Sequence, residues 1–528
     1  MLYDSPEFRQ WFLQGLCIDP KMWLLPPIQK INAPFITTWN LPAGKFYLPT
    51  QYIKAIIDWG DGTTSDYWGE GNPPHTYATA GTYQISITGR CNGFYMYSDS
   101  STPTERQKQL ISINQWGNVG FTTFYCAFYN CTNLVSLPEG AITGAENVYD
   151  FSWCFSGCTS LTSIPNNLFS NCTNAYNFAR CFQWCTSLLS IPTGLFDNCS
   201  KAYFFGYCFS VCTSITSIPN GLFDNNINVD DFSGCFSGTS ITSIPNGLFD
   251  NNIKVTNFNK CFWDCKIQFI PNNLFDNNIN VTSFGGCFEM CPLITSIPNN
   301  LFDNNINVTS FSYCFYGTSI TSIPTGLFDN NIKAYFFSYC FYGTSLISIP
   351  SGLFDSFTKV TDFSYCFGEC RSLTSIPNGL FDNCIDVYFF SYCFYNCRSL
   401  TSIPDNLFDN CIKVKTFDYC FYACVSLIAI PDNIFNNNID VVDFSYCFSY
   451  YGNIVDSPTL PSSIFNLLAL QNKQPDMTRC FGGASTTTGI VQDIWNYVTI
   501  TSRNHCFALC LKLTNYSDIP DLWSNYKD

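Results

Sequence analysis

The sequence predicts a mainly β protein with short turns and helices, in which an N-terminal β-sandwich precedes a solenoid of about 15 coils. Three observations support this prediction. A Cys-Phe pair recurs every 26 or 27 residues through most of the chain. Further residue columns keep the same register. Before the repeats, short segments alternate apolar and polar residues between turn-forming glycines, as half-buried strands do.

The Cys-Phe column defines the repeat. An opening copy, Tyr-Cys-Ala-Phe, contains Cys126, and looser copies follow at Cys480 and Cys506. A fixed period of this length marks a solenoid, in which each coil buries its apolar face only against its neighbours. The regular copies begin at Cys154, Cys181, Cys208, Cys235, Cys261, Cys287, Cys314, Cys340, Cys366, Cys393, Cys420 and Cys447.

Four more columns run in register with the cysteines: Leu/Ile-x-x-Ile-Pro, Leu-Phe-Asp, an Asn or Cys two residues after that Asp, and Val/Ala-x-x-Phe. They occur, for example, at Leu161–Pro165, Leu222, Asn226 and Val281. Apolar residues therefore return about every three positions around the coil. This spacing favours a tightly wound turn-and-strand coil over a helix, which would sustain i, i+3, i+4, i+7.

These columns resemble the BspA-like leucine-rich repeats of bacterial surface proteins. The matching text is Cys-Phe-x-x-Cys-x-Ser-Leu-Thr-Ser-Ile-Pro, as at Cys393–Pro404, and the resemblance covers about four-fifths of the chain. The usual coil of that family is shorter, and here Leu-Phe-Asp-Asn is added, which leaves the curvature open. The resemblance implies an adhesive role on an outward-facing surface.

Residues 32–97 are predicted to form the sandwich, with a strand at 55–59 followed by a Gly-Asp-Gly turn that needs positive φ. The segment resembles the PKD-type (polycystic kidney disease) domain, an immunoglobulin-like module of cell-surface proteins. The matching pieces are Asp58–Thr63 and His75–Tyr83. The resemblance implies that Trp59 and Tyr77 lie in the core, that His75 bonds the turn, and that the module is a spacer or contact domain.

The chain is accordingly divided into five segments. They are a docking segment at 1–31, the PKD-like sandwich at 32–97, a polar linker at 98–109, the BspA-like solenoid at 110–447, and irregular C-terminal repeats with a cap at 448–528. In the first segment, apolar residues between Phe8 and Leu16 fit one short amphipathic helix, which either packs on the next domain or docks to a larger assembly. Asp4 and Glu7 make a secretory signal unexpected there.

Composition excludes some classes of protein. The net charge of −15 argues against nucleic-acid binding, because phosphates need a basic face. The sequence contains no run of eighteen apolar residues, so it predicts no membrane span. The 51 Phe and 31 Tyr fit aromatic columns that fill a coil.

The 31 cysteines are expected to be reduced core residues. Asn226, Asn252 and Phe357 interrupt one cysteine column, and Gly-Thr-Ser variants at Gly238 and Gly317 interrupt another. A disulfide partner cannot become Asn, whereas a small buried group with a weak hydrogen bond can. Disulfides and metal sites remain the alternatives, although the Cys-x-x-x-Cys pairs lack histidine.

Two surface columns are candidates for function. An aspartate recurs once per coil from Asp197 to Asp409, and we expect it to cap a bend, with a row of calcium sites as the alternative. Tyrosines form the second column, either an intramolecular stacking ladder or a binding face for glycans or proteins. The candidate binding residues are Tyr313, Tyr316, Tyr339, Tyr342, Tyr365, Tyr392, Tyr395, Tyr419 and Tyr422, and the same stripe includes Tyr207 and Tyr446.

No catalytic, metal or cofactor residues are predicted, since the two histidines, His75 and His505, lie in no nucleophile pattern. We expect a non-enzymatic virion fibre or decoration protein of a bacteriophage, made in the host cytoplasm. It would dock to other virion or surface-assembly proteins through residues 1–100 and recognise host-surface glycan or protein through the solenoid, as a possible homo-oligomer. A bacterial cell-surface adhesin is one alternative, and a glycan-active enzyme on a repeat scaffold is another.

Overall fold

A computed structural model describes residues 33–98 and 102–449, and shorter segments of the C-terminal region: 459–460, 463–483, 488–489, 492–498, 505–508, 510, 513 and 515–524. The predicted docking segment at 1–31 lies outside the described residues. Within the described residues, no helix is both long and apolar enough to cross a bilayer.

Seven strands form the N-terminal unit. Their bounds are β1 Phe35–Leu41, β2 Gly44–Tyr47, β3 Thr50–Asp58, β4 Thr64–Gly71, β5 Pro74–Tyr77, β6 Gly81–Phe94 and β7 Leu110–Gln115. Five of them form an antiparallel sheet in the order β4-β3-β6-β1-β7, and β2 pairs with β5 in a separate antiparallel ribbon. Apolar residues alternate along β3, so one face of the large sheet is buried.

Aromatic rings join the ribbon to the large sheet. Trp39 of β1 packs edge-on against Phe46 of β2 at 5.2 Å, and the Trp59 ring stacks on His75 of β5 at 4.6 Å. Trp59 and Tyr77 are fully buried, as predicted, and the Tyr77 hydroxyl donates to the Trp59 carbonyl at 2.9 Å. His75 Nε2 lies 2.7 Å from the Asp61 carboxylate, which is the predicted bond to the turn. The identity of this unit as a PKD-type module stays a prediction.

The sheet and the first coil are joined by backbone pairing, and the predicted domain division, with a linker at 98–109, stays a prediction. Helix α1, Glu105–Gln109, lies within that segment and begins with a capping box at Thr104. Its Gln107 is fully buried and donates to the Met96 carbonyl at 2.6 Å. Strand β7 then pairs with β1 and also bridges Ser136 of the first coil through Ser112. The large sheet therefore covers the first coil and hides its apolar side.

Parallel bridges connect each coil of the solenoid to the next. One column of single-residue bridges runs without a break from Asp150 through Asn177 to Asp443 and Asp476. The Cys-Phe segments stack in the same way: the Phe367 N–H donates to the Cys393 carbonyl at 2.9 Å. Between bridges the chain is almost entirely turns, because a coil this short has few residues with extended backbone. The predicted solenoid is confirmed.

Phenylalanine columns fill the coils, and their spacing shows curvature. The Phe341 column stacks at 5.3–5.7 Å per coil and the Phe381 column at 6.0–6.1 Å, whereas the Tyr339 column on the same coils stacks at 4.2–4.5 Å. The distance between equivalent rings of successive coils therefore measures how far apart the coils are at that side of the solenoid. The coils therefore converge towards the tyrosines, which lie on the inner side of the curve.

Most cysteines outside the Cys-Phe pairs are hydrogen-bond donors to the previous coil, as expected of small buried groups. Cys397 Sγ lies 3.1 Å from the Phe367 carbonyl, and Cys212 Sγ lies 3.0 Å from the Phe182 carbonyl. All described cysteines are buried. In coils with the Gly-Thr-Ser variant, the threonine after the glycine donates within its own coil; Thr318 Oγ1 donates to the Phe315 carbonyl at 2.8 Å.

The opening coil corrects the sequence register. Cys126 has a left-handed backbone, φ 51°, and its N–H donates to Ser152, whereas the equivalent N–H of the next coil belongs to Trp153. Cys126 therefore occupies the Trp153 position, and Ala127 occupies the position of the repeat cysteine. The cysteine of the Tyr-Cys-Ala-Phe sequence is therefore shifted by one residue relative to the cysteines of the later Cys-Phe pairs.

The C-terminal coils keep the stack but change their surface elements. They contain β8 Thr459–Leu460, α2 Leu467–Lys473, β9 Thr488–Gly489, short 3₁₀ turns at Ile494–Asn496 and Tyr516–Asp518, and α3 Asp521–Ser524. The last described ring pair joins Phe507 to Trp523, which is 2% exposed. Trp523 covers the end of the phenylalanine column, as expected of a terminal coil.

Asp150→Asn should stabilise the protein at alkaline pH. Asp150 is 2% exposed and accepts hydrogen bonds from the Ser152 N–H and hydroxyl, and burial raises its pKa to about 6. Because the folded pKa exceeds the unfolded one, the stabilisation present at low pH is lost as the pH rises through 6. We expect the free energy of unfolding of the variant to exceed that of the parent by about 2 kcal/mol at pH 8 and to equal it near pH 4. Urea unfolding measures both values.

The chain contains a matched control for this change. Asn177 occupies the same column and accepts the Ala179 N–H through Oδ1 at 3.0 Å. Asn177→Asp should therefore lose stability at pH 8 and recover it near pH 4. A stability difference that does not change with pH in either variant would contradict a buried, ionised carboxylate.

Candidate binding face of the solenoid

The candidate tyrosines form two columns on adjacent positions of the coil, called here the tyrosine face. The first column precedes the repeat cysteine and contains Tyr313, Tyr339, Tyr365, Tyr392, Tyr419 and Tyr446; the second contains Tyr316, Tyr342, Tyr395 and Tyr422. All six residues of the first column have a left-handed backbone, with φ between 52° and 61°. A side chain in that conformation costs roughly 1–2 kcal/mol, and glycine replaces it at Gly234 and Gly286.

Stacking holds these tyrosines in place. Consecutive rings of the first column are nearly parallel, for example Tyr339 on Tyr365 at 4.2 Å and Tyr365 on Tyr392 at 4.3 Å. In the second column, Tyr316 stacks on Tyr342 at 5.0 Å. The predicted ladder is therefore formed, and ring faces within the stack cover one another.

The tyrosines of the face remain partly exposed. Tyr313, at the end of the first column, is 37% exposed, and the other members are half-buried. Partial burial, with neighbouring tyrosines as a further cause, raises the pKa of Tyr365, Tyr392 and Tyr419 to about 12. The hydroxyls are therefore neutral at ordinary pH and can both donate and accept hydrogen bonds. The face presents a row of hydroxyls over an apolar floor.

Glycine interrupts the second column at Gly368. A Cβ there would lie 2.9 Å from Cδ2 of Tyr342, so that tyrosine leans into the space that a side chain would occupy. Beside the gap, Asn396 Nδ2 donates to Glu369 at 2.8 Å, and Arg371 Nε donates to the same carboxylate at 2.8 Å. This point of the face combines aromatic edges with an ionic cluster.

The face continues toward the N-terminal sheet through residues that the tyrosine pattern did not identify. The Arg180 guanidinium lies between the rings of Trp153 and Tyr207, at 4.5 and 4.8 Å. Lys260 lies over Trp263 at 5.6 Å in the same two columns. Their position in the coil could have identified these residues, since each stands one residue before, or two after, a repeat Cys. A search for tyrosines alone could not identify them.

The aspartate column does not cap the bend as predicted. No described hydrogen bond ends on these carboxylates. The bend is closed by the backbone, with the Asp224 N–H donating to Gly221, and by Asn251 Nδ2 of the next coil, which donates to the Asp224 carbonyl at 3.0 Å. Across the described part of the chain, no group of three or more His, Cys, Asp or Glu side chains could hold a metal ion.

A cavity of about 480 Å³ lies where the N-terminal sheet meets helix α1. Tyr47, Tyr95 and Tyr97 line it together with Arg106 and Glu70. Tyr97 also contacts Tyr129 at 5.6 Å, which belongs to the second column of the face in the opening coil. Aromatic side chains thus extend from this cavity onto the solenoid.

Comparison with known proteins gives little beyond architecture. No protein-family model matches the chain, and no curated protein matches it. Among solved structures it is similar to the Toll–Spatzle complex, a molecular hub in Drosophila development and innate immunity, with 15% identity and a TM-score of 0.37 over 71% of this chain and 46% of that one.

Two further solved structures are similar to it. The TLR13–ssRNA13 complex has 11% identity and a TM-score of 0.30, over 70% of this chain and 59% of that one. The other is the leucine-rich-repeat ectodomain of the receptor kinase GASSHO1/SCHENGEN3 from Arabidopsis thaliana, in complex with CASPARIAN STRIP INTEGRITY FACTOR 2. It has 12% identity and a TM-score of 0.23, over 75% of this chain and 61% of that one.

The chain spans less than two thirds of each of these three chains. With TM-scores below 0.5 the likenesses are distant. The description of this chain as a leucine-rich-repeat solenoid therefore rests on its own parallel bridges, ring stacks and repeated Leu/Ile-x-x-Ile-Pro and Leu-Phe columns.

Proposed function

We propose that this protein is a non-enzymatic recognition scaffold that binds a surface macromolecule, glycan or protein, along the tyrosine face. The observation that carries the proposal is the first tyrosine column, held in register over six coils in a left-handed backbone, with the second column beside it in four of them. Glycine would relieve that conformation at each position, yet tyrosine occupies six in succession. A row of hydroxyls over apolar ring edges suits a flat ligand with repeated hydrogen-bonding groups.

A recognition role also suits the shape. The tyrosines lie on the inner side of the curve, so several coils can contact one ligand at once. Each coil adds a modest contact, and the repetition supplies affinity, since linked weak contacts act with a high effective concentration. An enzyme that cleaves a glycan needs one acid and one base beside the bond that breaks, whereas a repeated row of identical residues offers no such unique pair.

Tyr339, Tyr365 and Tyr392 should be needed for binding more than for folding. Replacing all three with alanine removes hydroxyls and ring edges from three consecutive coils, while the buried phenylalanine columns remain intact. We expect binding to immobilised target cells or their purified surface polymers to fall at least tenfold, with a shift in melting temperature of only a few degrees. Surface plasmon resonance and differential scanning calorimetry measure the two effects.

The triple change Tyr339→Phe, Tyr365→Phe and Tyr392→Phe is the matched control. It keeps the stack and removes only the hydroxyls, so it should retain stability and lose an intermediate part of the binding. Equal loss of stability and binding in the alanine variant would instead assign these tyrosines to an internal ladder alone. Hydrolase treatment of the surface glycans distinguishes a glycan target from a protein one.

The biological setting that we favour is a bacteriophage virion, in which the chain is a fibre or decoration protein contacting the host. Support comes from the resemblance to outward-facing BspA-like repeats together with the buried free thiols of the regular coils, such as Cys366 and Cys393. Assembly in a reducing cytoplasm would suit such cysteines. A bacterial surface adhesin is the second candidate. Mass spectrometry of purified virions tests the setting: absence of this chain from virions would exclude the fibre.

A further inference from the structure

A line of exposed isoleucines runs along the solenoid, away from the tyrosine columns, and is called here the isoleucine stripe. Each member follows the buried Asn or Cys of the Leu-Phe-Asp bend and is 48–57% exposed. The fold does not require an apolar residue there, since Ser200 and Thr358 occupy the position in other coils. The stripe consists of Ile227, Ile253, Ile279, Ile306, Ile332, Ile385, Ile412 and Ile439.

Charged rows of opposite sign flank the stripe. On one side lies the aspartate column, whose members are exposed or half-exposed; burial, and then neighbouring aspartates, raise the pKa of Asp276 and Asp303. On the other side, the residue after the stripe position is an exposed lysine in five coils: Lys201, Lys254, Lys333, Lys359 and Lys413. Three of these lysines, Lys254, Lys333 and Lys413, follow a stripe isoleucine; three other stripe isoleucines are followed by asparagine, and two by Asp386 and Asp440.

Among the described residues, the aspartate column forms no ion pair. In the other row, Lys254 and Lys333 donate to the neutral Asn228 and Asn307 at 2.6 and 2.7 Å, whereas Lys413 is paired with Asp386. Like charges stacked once per coil repel one another. A surface that placed lysines opposite this row would relieve the repulsion.

We propose that the isoleucine stripe is the interface between two copies of this chain, which lie side by side with their solenoids parallel. Eight half-exposed isoleucines present about 700 Å² of apolar surface, close to the ~800 Å² that each partner contributes to a standard interface. Contiguous apolar surface of this size on a soluble protein marks an interaction site. The partner is a second copy because the stripe and its two rows are complementary to themselves.

The charges select the orientation. A two-fold axis parallel to the stripe exchanges left and right, so that the aspartate row of one copy faces the lysine row of the other. A two-fold axis across the stripe would place aspartates opposite aspartates, which is repulsive. The parallel arrangement places each isoleucine at the same level as its equivalent in the other copy. The tyrosine columns take no part in it, so ligand binding and pairing can fail independently.

Sedimentation velocity of the full chain tests the pairing. We expect a dimer at micromolar concentration, and the double variant Ile279→Glu with Ile306→Glu should raise the dimer dissociation constant at least tenfold. The matched control is Ile347→Glu with Ile428→Glu, two isoleucines of another column that are 53% and 58% exposed; it should dimerise normally. A parent that stays monomeric up to 100-fold higher concentration, or a stripe variant that pairs normally, overturns the proposal.

Cross-linking tests the orientation. Ile227→Cys and Ile439→Cys lie at opposite ends of the stripe, so each should form a disulfide-linked dimer under mild oxidation only if the copies are parallel. Native cysteines in the described residues are buried, and Ile332→Cys, in the middle coil of the stripe, serves as the central reference. Circular dichroism confirms folding of each variant. Cross-linking near the centre, with none at either end, would overturn the parallel arrangement.

Discussion

Phe302→Ala should destabilise the solenoid by about 3–5 kcal/mol, the usual cost of truncating a fully buried phenylalanine. Phe302 is 0% exposed, and its ring centroid lies 4.7 Å from that of Phe284 and 5.0 Å from that of Phe311. It also stacks on Phe275 and Phe328 in the coils on either side, at 6.3 and 6.0 Å. The change therefore weakens two coil interfaces at once.

Loss of cooperativity is the second expected result. Each coil is stabilised only by its neighbours, so a weak coil in the middle allows the two halves to unfold separately. Urea unfolding followed by tryptophan fluorescence should show a broader transition, because the described tryptophans are concentrated toward the two ends. Thr295→Ala, an exposed residue in the same coil with no described side-chain hydrogen bond, is the control and should change stability by less than about 0.5 kcal/mol. A loss below 1 kcal/mol for Phe302→Ala would contradict a stack that depends on neighbouring rings.

Asn305→Asp should cost about 4 kcal/mol at pH 7, whereas Asn305→Cys should cost less than about 1 kcal/mol. Asn305 is 0% exposed, and its Nδ2 donates to the carbonyls of Phe275 and Asn278 at 3.1 and 2.9 Å. A carboxylate has no donor for these carbonyls and would be a buried charge without a partner. A thiol supplies one donor, as Cys411 does at the equivalent position of a later coil, where its Sγ lies 3.7 Å from the Phe381 carbonyl.

The pH dependence identifies the cause. In Asn305→Asp, burial must raise the folded pKa of the new carboxyl above its unfolded value, so the loss should be small at low pH and grow as the pH rises through the folded pKa. Asn305→Cys should show no such dependence below pH 8. Urea midpoints at pH 4.5 and pH 8 measure both. Similar losses for Asp and Cys at pH 8 would show that the donor to the previous coil is unimportant.

Periodicity in the sequence was enough to predict much of the fold. The Cys-Phe, Leu-Phe and Val/Ala-x-x-Phe columns specify which residues stack, because a solenoid core uses the same position of every coil. The exchange of Asn226 for cysteine in one column indicated a small buried donor, and both side chains do donate to the previous coil. These features depend on local contacts between adjacent coils, which a period records directly.

Other features depended on how the backbone winds. The period does not show which side is inner, that Tyr365 has a left-handed backbone, or that its ring face is covered by Tyr339. It did not reveal that Asp224 leaves its carboxylate without a described hydrogen bond, nor that strand β7 joins the N-terminal sheet to the first coil.

Sequence alone thus determined the repeat, its buried columns and the exchange of donors between Asn and Cys, because each coil repeats one set of contacts. Only the tertiary structure decided the curvature, the covered tyrosine rings and the exposure of Ile306 between acidic and basic rows. These depend on the direction in which each side chain leaves a turn, and turns of nearly identical sequence length can direct the same residue inward or outward.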